Sequence, residues 1–143
     1  VTITDFRSLL VPIRSVTDLE TVTPDFPAIT ALCQRTSIDT IALFTPVVEN
    51  STMIRCREFC PAVGTPESAA SGTTNRAISC YLYQAGQLGA LQNGKLTLRS
   101  EQGHEMGRPS VVMSELLTRN GQAVEVRVGG LATKTIEGKF YLP

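Results

Sequence analysis

From Thr73 to Ala85 the chain runs through thirteen residues with a single charge, Arg76. Ala77, Ile78, Tyr81, Leu82 and Ala85 recur at helical spacing, with Cys80 beside that stripe. A helix this poor in charge has almost no face suited to water, so it must be covered on most sides. The rest of the sequence supplies strands for the cover. Phe6 to Arg14 reads as a strand in which Pro12 marks an edge or a bulge. Thr17 to Val22 reads as a turn with a short helical piece. Pro24-Asp25-Phe26-Pro27 then opens a helix that runs through Ile29, Leu32 and Cys33 to Thr36-Ser37. Ile38 to Thr45 and Thr52 to Phe59 are strand-like runs joined by a turn at Glu49-Asn50-Ser51. After the central helix, strands are expected at Lys95–Glu101, Ser110–Leu117, Ala123–Val128, Leu131–Ile136 and Phe140–Leu142. Asn93-Gly94, Gly103 to Gly107, Asn120-Gly121, Gly129-Gly130 and Glu137-Gly138 divide them. The expectation is one α+β domain over residues 1–143, with that helix at its centre.

Composition narrows the partners. Hydrophobic residues make up 42% and charged ones 18% of the chain, the balance of a folded globular protein. Thirteen Lys+Arg offset thirteen Asp+Glu. A chain with no basic surplus is not expected to bind nucleic acid or an anionic membrane. No apolar run nears the ~20 residues that a helix needs to cross a bilayer, and no leader pattern is visible. Cys33, Cys56, Cys60 and Cys80 are too sparse for a disulfide scaffold. Cys56 and Cys60 lie in a strand-like run and lack the matching second pair of a zinc knuckle. Reduced, partly buried thiols in a cytoplasmic protein are expected, with no metal and no cofactor.

The stretch that can carry chemistry is Gly64-Thr65-Pro66-Glu67-Ser68-Ala69-Ala70-Ser71-Gly72-Thr73-Thr74, which leads into the central helix. A helix start leaves backbone N–H groups unpaired, and the helix dipole adds partial positive charge there. Small residues around it make a cradle for a carboxylate or phosphate without any basic side chain. The same Ser71, Thr73 or Thr74 can equally do no more than cap the helix.

Four separated segments, in order, resemble the PhzF-like family, named for an isomerase of phenazine biosynthesis. Arg57-Glu58-Phe59-Cys60-Pro61-Ala62-Val63-Gly64 is similar to its R-x-F-x-P-x-x-G motif. Glu67-Ser68-Ala69-Ala70-Ser71-Gly72-Thr73 is similar to its E-D-P-A-T-G-S. Gln102-Gly103-His104-Glu105-Met106-Gly107-Arg108-Pro109-Ser110 resembles its Q-G-x-x-x-G-R-x-S segment, and Val126-Arg127-Val128-Gly129-Gly130-Leu131-Ala132 its V-x-V-x-G-x-A turn. The register holds across residues 4 to 142.

The resemblance implies a diaminopimelate epimerase-like half-domain: a curled, mixed β-sheet wrapped around a central helix. Family members have two such halves, with the active site in the cleft between them. This chain matches the second half only, so the catalytic glutamate and the G-H motif of the first half have no counterpart. His104 belongs to a second-half loop and does not replace that histidine. The resemblance also makes Ser71, Gly72, Thr73 and Thr74 a cradle for a substrate carboxylate, with Arg108 as a further partner. Glu67 and Ser68 occupy motif positions. The family's acidic residue is Ser68 here, and a hydroxyl without an activator is neither acid nor base near neutral pH. The family's proline is Ala69, and the cysteine of related racemases corresponds to Ser71. The family's proton-shift chemistry needs no cofactor. Three readings follow: a second half that works beside a missing N-terminal half, a homodimer whose second copy replaces that half, or an interaction domain that has lost the chemistry.

Overall fold

The computed structural model describes residues 2–3, 6–47, 50–88 and 93–142. The expected Glu49 turn position lies outside these residues. Strands β1 (Thr2–Ile3) and β2 (Phe6–Pro12) lead into helices α1 (Val16–Thr21) and α2 (Phe26–Thr36). Strands β3 (Thr40–Val47) and β4 (Asn50–Cys60) follow, then a one-turn 3-10 helix (Pro61–Val63), strand β5 (Thr65–Ser68) and helix α3 (Gly72–Gln84). The chain closes on β6 (Lys95–Gln102), β7 (Ser110–Arg119) and β8 (Gln122–Gly129).

The sheet order is β1-β2-β3-β4-β6-β7-β8, with β5 paired to β4 off that path. The β2–β3 and β4–β6 pairs are parallel and the others antiparallel. A parallel pair needs a crossover, and the two crossovers put their helices on opposite faces. On one face, Ile41, Leu43 and Phe59 pack with Leu19 of α1 and Cys33 of α2. On the other, Ala42, Phe44, Ile54, Cys56, Leu96 and Leu98 pack with Ile78 and Leu82 of α3. Alternate β3 residues thus serve two cores, which is why Thr40–Thr45 is buried throughout. Helix α3 touches β1 and β2 at one end of the sheet and β7 and β8 at the other, so the sheet curls around it. The expected fold, a curled mixed sheet around a central helix, is the one observed.

Local signals explain the helix ends. Asp25 caps α2 by accepting from the Ala28 N–H, and Ser15 caps α1 through the Asp18 N–H. Asn120 and Gly121 both hold positive φ, 53° and 75°, as the two-residue turn between β7 and β8 requires.

One element is unexpected and one expectation fails. Within Gly64 to Thr74, read from the sequence only as the lead into the central helix, lies β5. Its register runs Glu58↔Ser68, Phe59↔Glu67 and then Cys60↔Thr65, so the shift skips Pro66. A proline lacks the N–H that a ladder needs, and the irregularity accommodates it. The strands expected at Leu131–Ile136 and Phe140–Leu142 do not form. They pair with no strand of the sheet, and Leu131, Ile136, Phe140, Tyr141 and Leu142 are exposed.

Candidate functional site

Strand β5 delivers the chain to the start of α3 through only three residues, Ala69, Ala70 and Ser71. Ser71 is the N-cap: its Oγ accepts the Thr74 N–H at 3.3 Å and its carbonyl accepts the Asn75 N–H at 3.1 Å. Gly72 and Thr73 are exposed. Thr74 lies beneath the helix start instead, fully buried, and its hydroxyl donates to the Glu58 carboxylate. The sequence grouped Thr74 with the cradle, but its side chain faces the sheet. The Ser68 hydroxyl donates to the Ala70 carbonyl at 3.0 Å, a local turn contact.

Glu67 is committed to structure. Arg57 grips it with two parallel bonds, Nε to Oε1 at 2.9 Å and Nη2 to Oε2 at 3.0 Å. Arg57 Nη1 also donates to the Leu19 and Val22 carbonyls, at 3.3 and 2.7 Å, and its guanidinium lies 4.9 Å from the centre of the Phe59 ring. Glu105 stands 3.8 Å from the same arginine and 3.1 Å from Arg55. One side chain therefore ties β4 and β5 to the end of α1 and to the loop after β6. Arg57 is the structural reason for a glutamate at this motif position.

The Gln102–Ser110 segment closes on the same place. Gln102 is fully buried. Its Nε2 donates to the Ser68 carbonyl at 2.7 Å, and its Oε1 accepts from Asn75 Nδ2 at 3.0 Å. Asn75 Nδ2 also donates to the Ser71 carbonyl at 2.8 Å. Cys56 Sγ lies 3.6 Å from Gln102 Oε1 and 3.7 Å from Asn75 Oδ1. Ser110 Oγ donates to the Ala69 carbonyl. Gly103 has φ +82°, and a Cβ there would stand 2.3 Å from the Arg108 carbonyl oxygen and 2.9 Å from that of Ala69. Only glycine lets these backbones meet.

Arg108 is exposed, its N–H donating to the Gly103 carbonyl at 2.9 Å, and among the described residues its side chain has no ion pair. His104 is exposed, 3.5 Å from Glu101. The β8 turn completes the wall, since a Cβ on Gly72 would meet Val128 Cγ1 at 3.6 Å. All four motifs thus converge on the first turn of α3.

The chemistry within reach is limited. Burial, with Glu58 adding repulsion, pushes the Cys56 thiol up to about 12. Burial, with Glu58 and Glu67, pushes Cys60 up to about 11. Neither is a nucleophile near neutral pH. The arrangement offers backbone N–H groups, a serine and a threonine hydroxyl and an unpaired guanidinium. Sequence reading missed Glu58, Asn75 and the bridging role of Gln102. The signal was present: Ser100 and Gln102 fall on the inward stripe of β6, where apolar residues are the rule.

No helix in the described residues is long and apolar enough to cross a membrane. The family model for phenazine biosynthesis-like proteins, PhzC–PhzF, matches residues 1–138. An uncharacterized isomerase of Deinococcus radiodurans is 30% identical over 135 residues, covering 94% of this chain and 43% of the relative. An uncharacterized isomerase of Clostridium acetobutylicum is 24% identical over 140 residues, covering 97% and 46%. The crystal structure of a PhzF-family phenazine biosynthesis protein from Bacillus anthracis superposes with a TM-score of 0.64 at 17% identity, over 87% of this chain and 45% of that one. The chain spans less than half the length of each of these proteins. With the family model covering nearly all of it, and the four motifs gathered at one helix start, the chain belongs to the PhzC–PhzF family of phenazine biosynthesis-like proteins.

Proposed function

We propose that this chain is the second half of a PhzF-like isomerase, and that it binds a small carboxylate at the first turn of α3. The observation that carries the reading is the exposed pair Gly72 and Thr73, whose N–H groups donate to nothing within the described residues. Oriented N–H groups at a helix start attract an anion. The Ser71 hydroxyl, accepting from Thr74, keeps its own proton free to donate, and Arg108, exposed in the Gln102–Ser110 segment, carries a full positive charge. The second residue of the motif is Ser68, Glu67 is held by Arg57, and Glu58 is buried beneath the helix start on the Thr74 hydroxyl, so among the described residues neither motif position offers a free carboxylate to the cradle. Catalysis therefore requires a second half, supplied by an N-terminal half-domain or by another copy of this chain. The exposed apolar residues from Leu131 to Leu142 support such an association.

Non-catalytic carboxylate binding by a homodimer is the second reading, and Ser68 is what favours it. An NMR titration of the chain with acetate tests the cradle. The Gly72 and Thr73 amide signals are expected to shift and saturate, and unmoved signals at high acetate would sink the binding claim. Mixing with the matching first half of a relative, followed by an isomerisation assay, separates the two readings.

A further inference from the structure

Four consecutive carbonyls at the site are all taken by donors within the chain. Gln102 Nε2 holds that of Ser68, Ser110 Oγ that of Ala69, Ser68 Oγ that of Ala70, and Asn75 that of Ser71. Every described peptide bond is trans. In a trans peptide the C=O of one residue and the N–H of the next point in opposite directions. Holding the carbonyls of residues 69, 70 and 71 therefore aims the N–H groups of Ala70, Ser71 and Gly72 the other way. Within the described residues these N–H groups donate to no acceptor. Two of the four holders, Gln102 and Ser110, come from beyond the β5–α3 segment, at the end of β6 and the start of β7. Gln102 sits where the edge of β4 passes from β6, at Cys56↔Gln102, to β5, at Glu58↔Ser68.

We propose that Ser110, by holding the Ala69 carbonyl, and Gln102, by fixing the Asn75 amide that holds the Ser71 carbonyl, are positioning residues that set the direction of the anion-facing N–H row without touching the ligand themselves. The inference rests on the cradle reading above. Gly103 belongs to the same device, because its missing Cβ lets the loop rest against the Ala69 carbonyl. A side chain that only filled space would not need a bond to the Ser68 carbonyl and a buried amide relay through Asn75.

The test compares Q102A, S110A and S110T with the core truncation V112A on the same strand as Ser110. Amide hydrogen exchange and 15N shifts are read first without any ligand, and acetate affinity second. Q102A and S110A are expected to speed exchange and move the signals of residues 69–72, and to weaken acetate by about tenfold, the cost of a misdirected donor or two. S110T, which keeps the hydroxyl, should restore both readouts. V112A should lower the Tm yet leave acetate affinity within about twofold. Signals of residues 69–72 unchanged in both alanine variants would overturn the proposal, whether or not acetate binds. Wild-type chain that ignores acetate while Q102A still shifts those signals would fault the cradle alone. If Q102A does not fold, S110A against S110T decides.

Discussion

Arg57 satisfies four acceptors in a buried place, two on Glu67 and the carbonyls of Leu19 and Val22. Replacing it with Leu strands the Glu67 charge and two carbonyls, and removing one partner of a buried pair costs about 3–5 kcal/mol. Urea unfolding should show that loss for R57L. The double variant R57L/E67L should recover part of it, because the orphaned charge is gone but the two carbonyls still lack donors. The thiols give a second prediction. Cys56 and Cys60 are held above their ordinary value of 9.0, at about 12 and about 11. An unfolded chain releases these protons first as pH rises, so the native state binds more protons above pH 9. Stability should be full below that pH and fall progressively through the interval up to about 12, as followed by urea midpoints at each pH. Replacing both cysteines with alanine should flatten the slope. A slope unchanged in that variant would assign the alkaline loss to other groups.

At the scale of elements, the junction between β5 and α3 depends on close backbone approach. G103A places a Cβ 2.3 Å from one carbonyl oxygen and 2.9 Å from another, on a residue with φ +82°. It should cost more than the ~1 kcal/mol of an ordinary left-handed glycine replacement, with the Ala69–Gly72 amides the first to show altered shifts. G64A, where nothing lies within 4 Å of the new Cβ, is the matched comparison and should cost less. Much of this level was legible in the sequence. The uncharged stripe of Ala77, Ile78 and Leu82 announced a covered helix, and all three are buried. Asp25 and Ser71 announced helix starts because short polar side chains reach the N–H groups of the first turn. What stayed hidden depended on distant partners. Pro66 masked β5, since a proline argues against a strand until the partner register shows it skipped. Leu131–Ile136 has strand composition yet pairs with no strand, and composition does not record pairing. Glu67 was legible only as a motif position, because its arginine lies ten positions earlier, on another strand.

For the whole molecule, the sheet leaves β8 as its last strand, and the chain beyond Gly129 carries its apolar residues on the surface. Large apolar side chains left in water favour association. Light scattering of the purified chain over a wide concentration range should reveal a dimer or larger species. A chain ending at Gly130 should be smaller in mass under the same conditions and keep its thermal transition. Unchanged assembly after that truncation would place the contact elsewhere, on the open strand edges. The shared edge of β4 has a separate consequence, in time. Its pairing with β6 closes a loop that holds both β5 and α3, and closing so long a loop is slow because chain entropy is lost before the contacts form. Ser68 leaves the ribosome 34 residues ahead of Gln102. At typical synthesis speeds the nascent chain therefore carries its helix start unheld for roughly 2 to 7 s. The first turn of α3 is thus made before the residues that hold it.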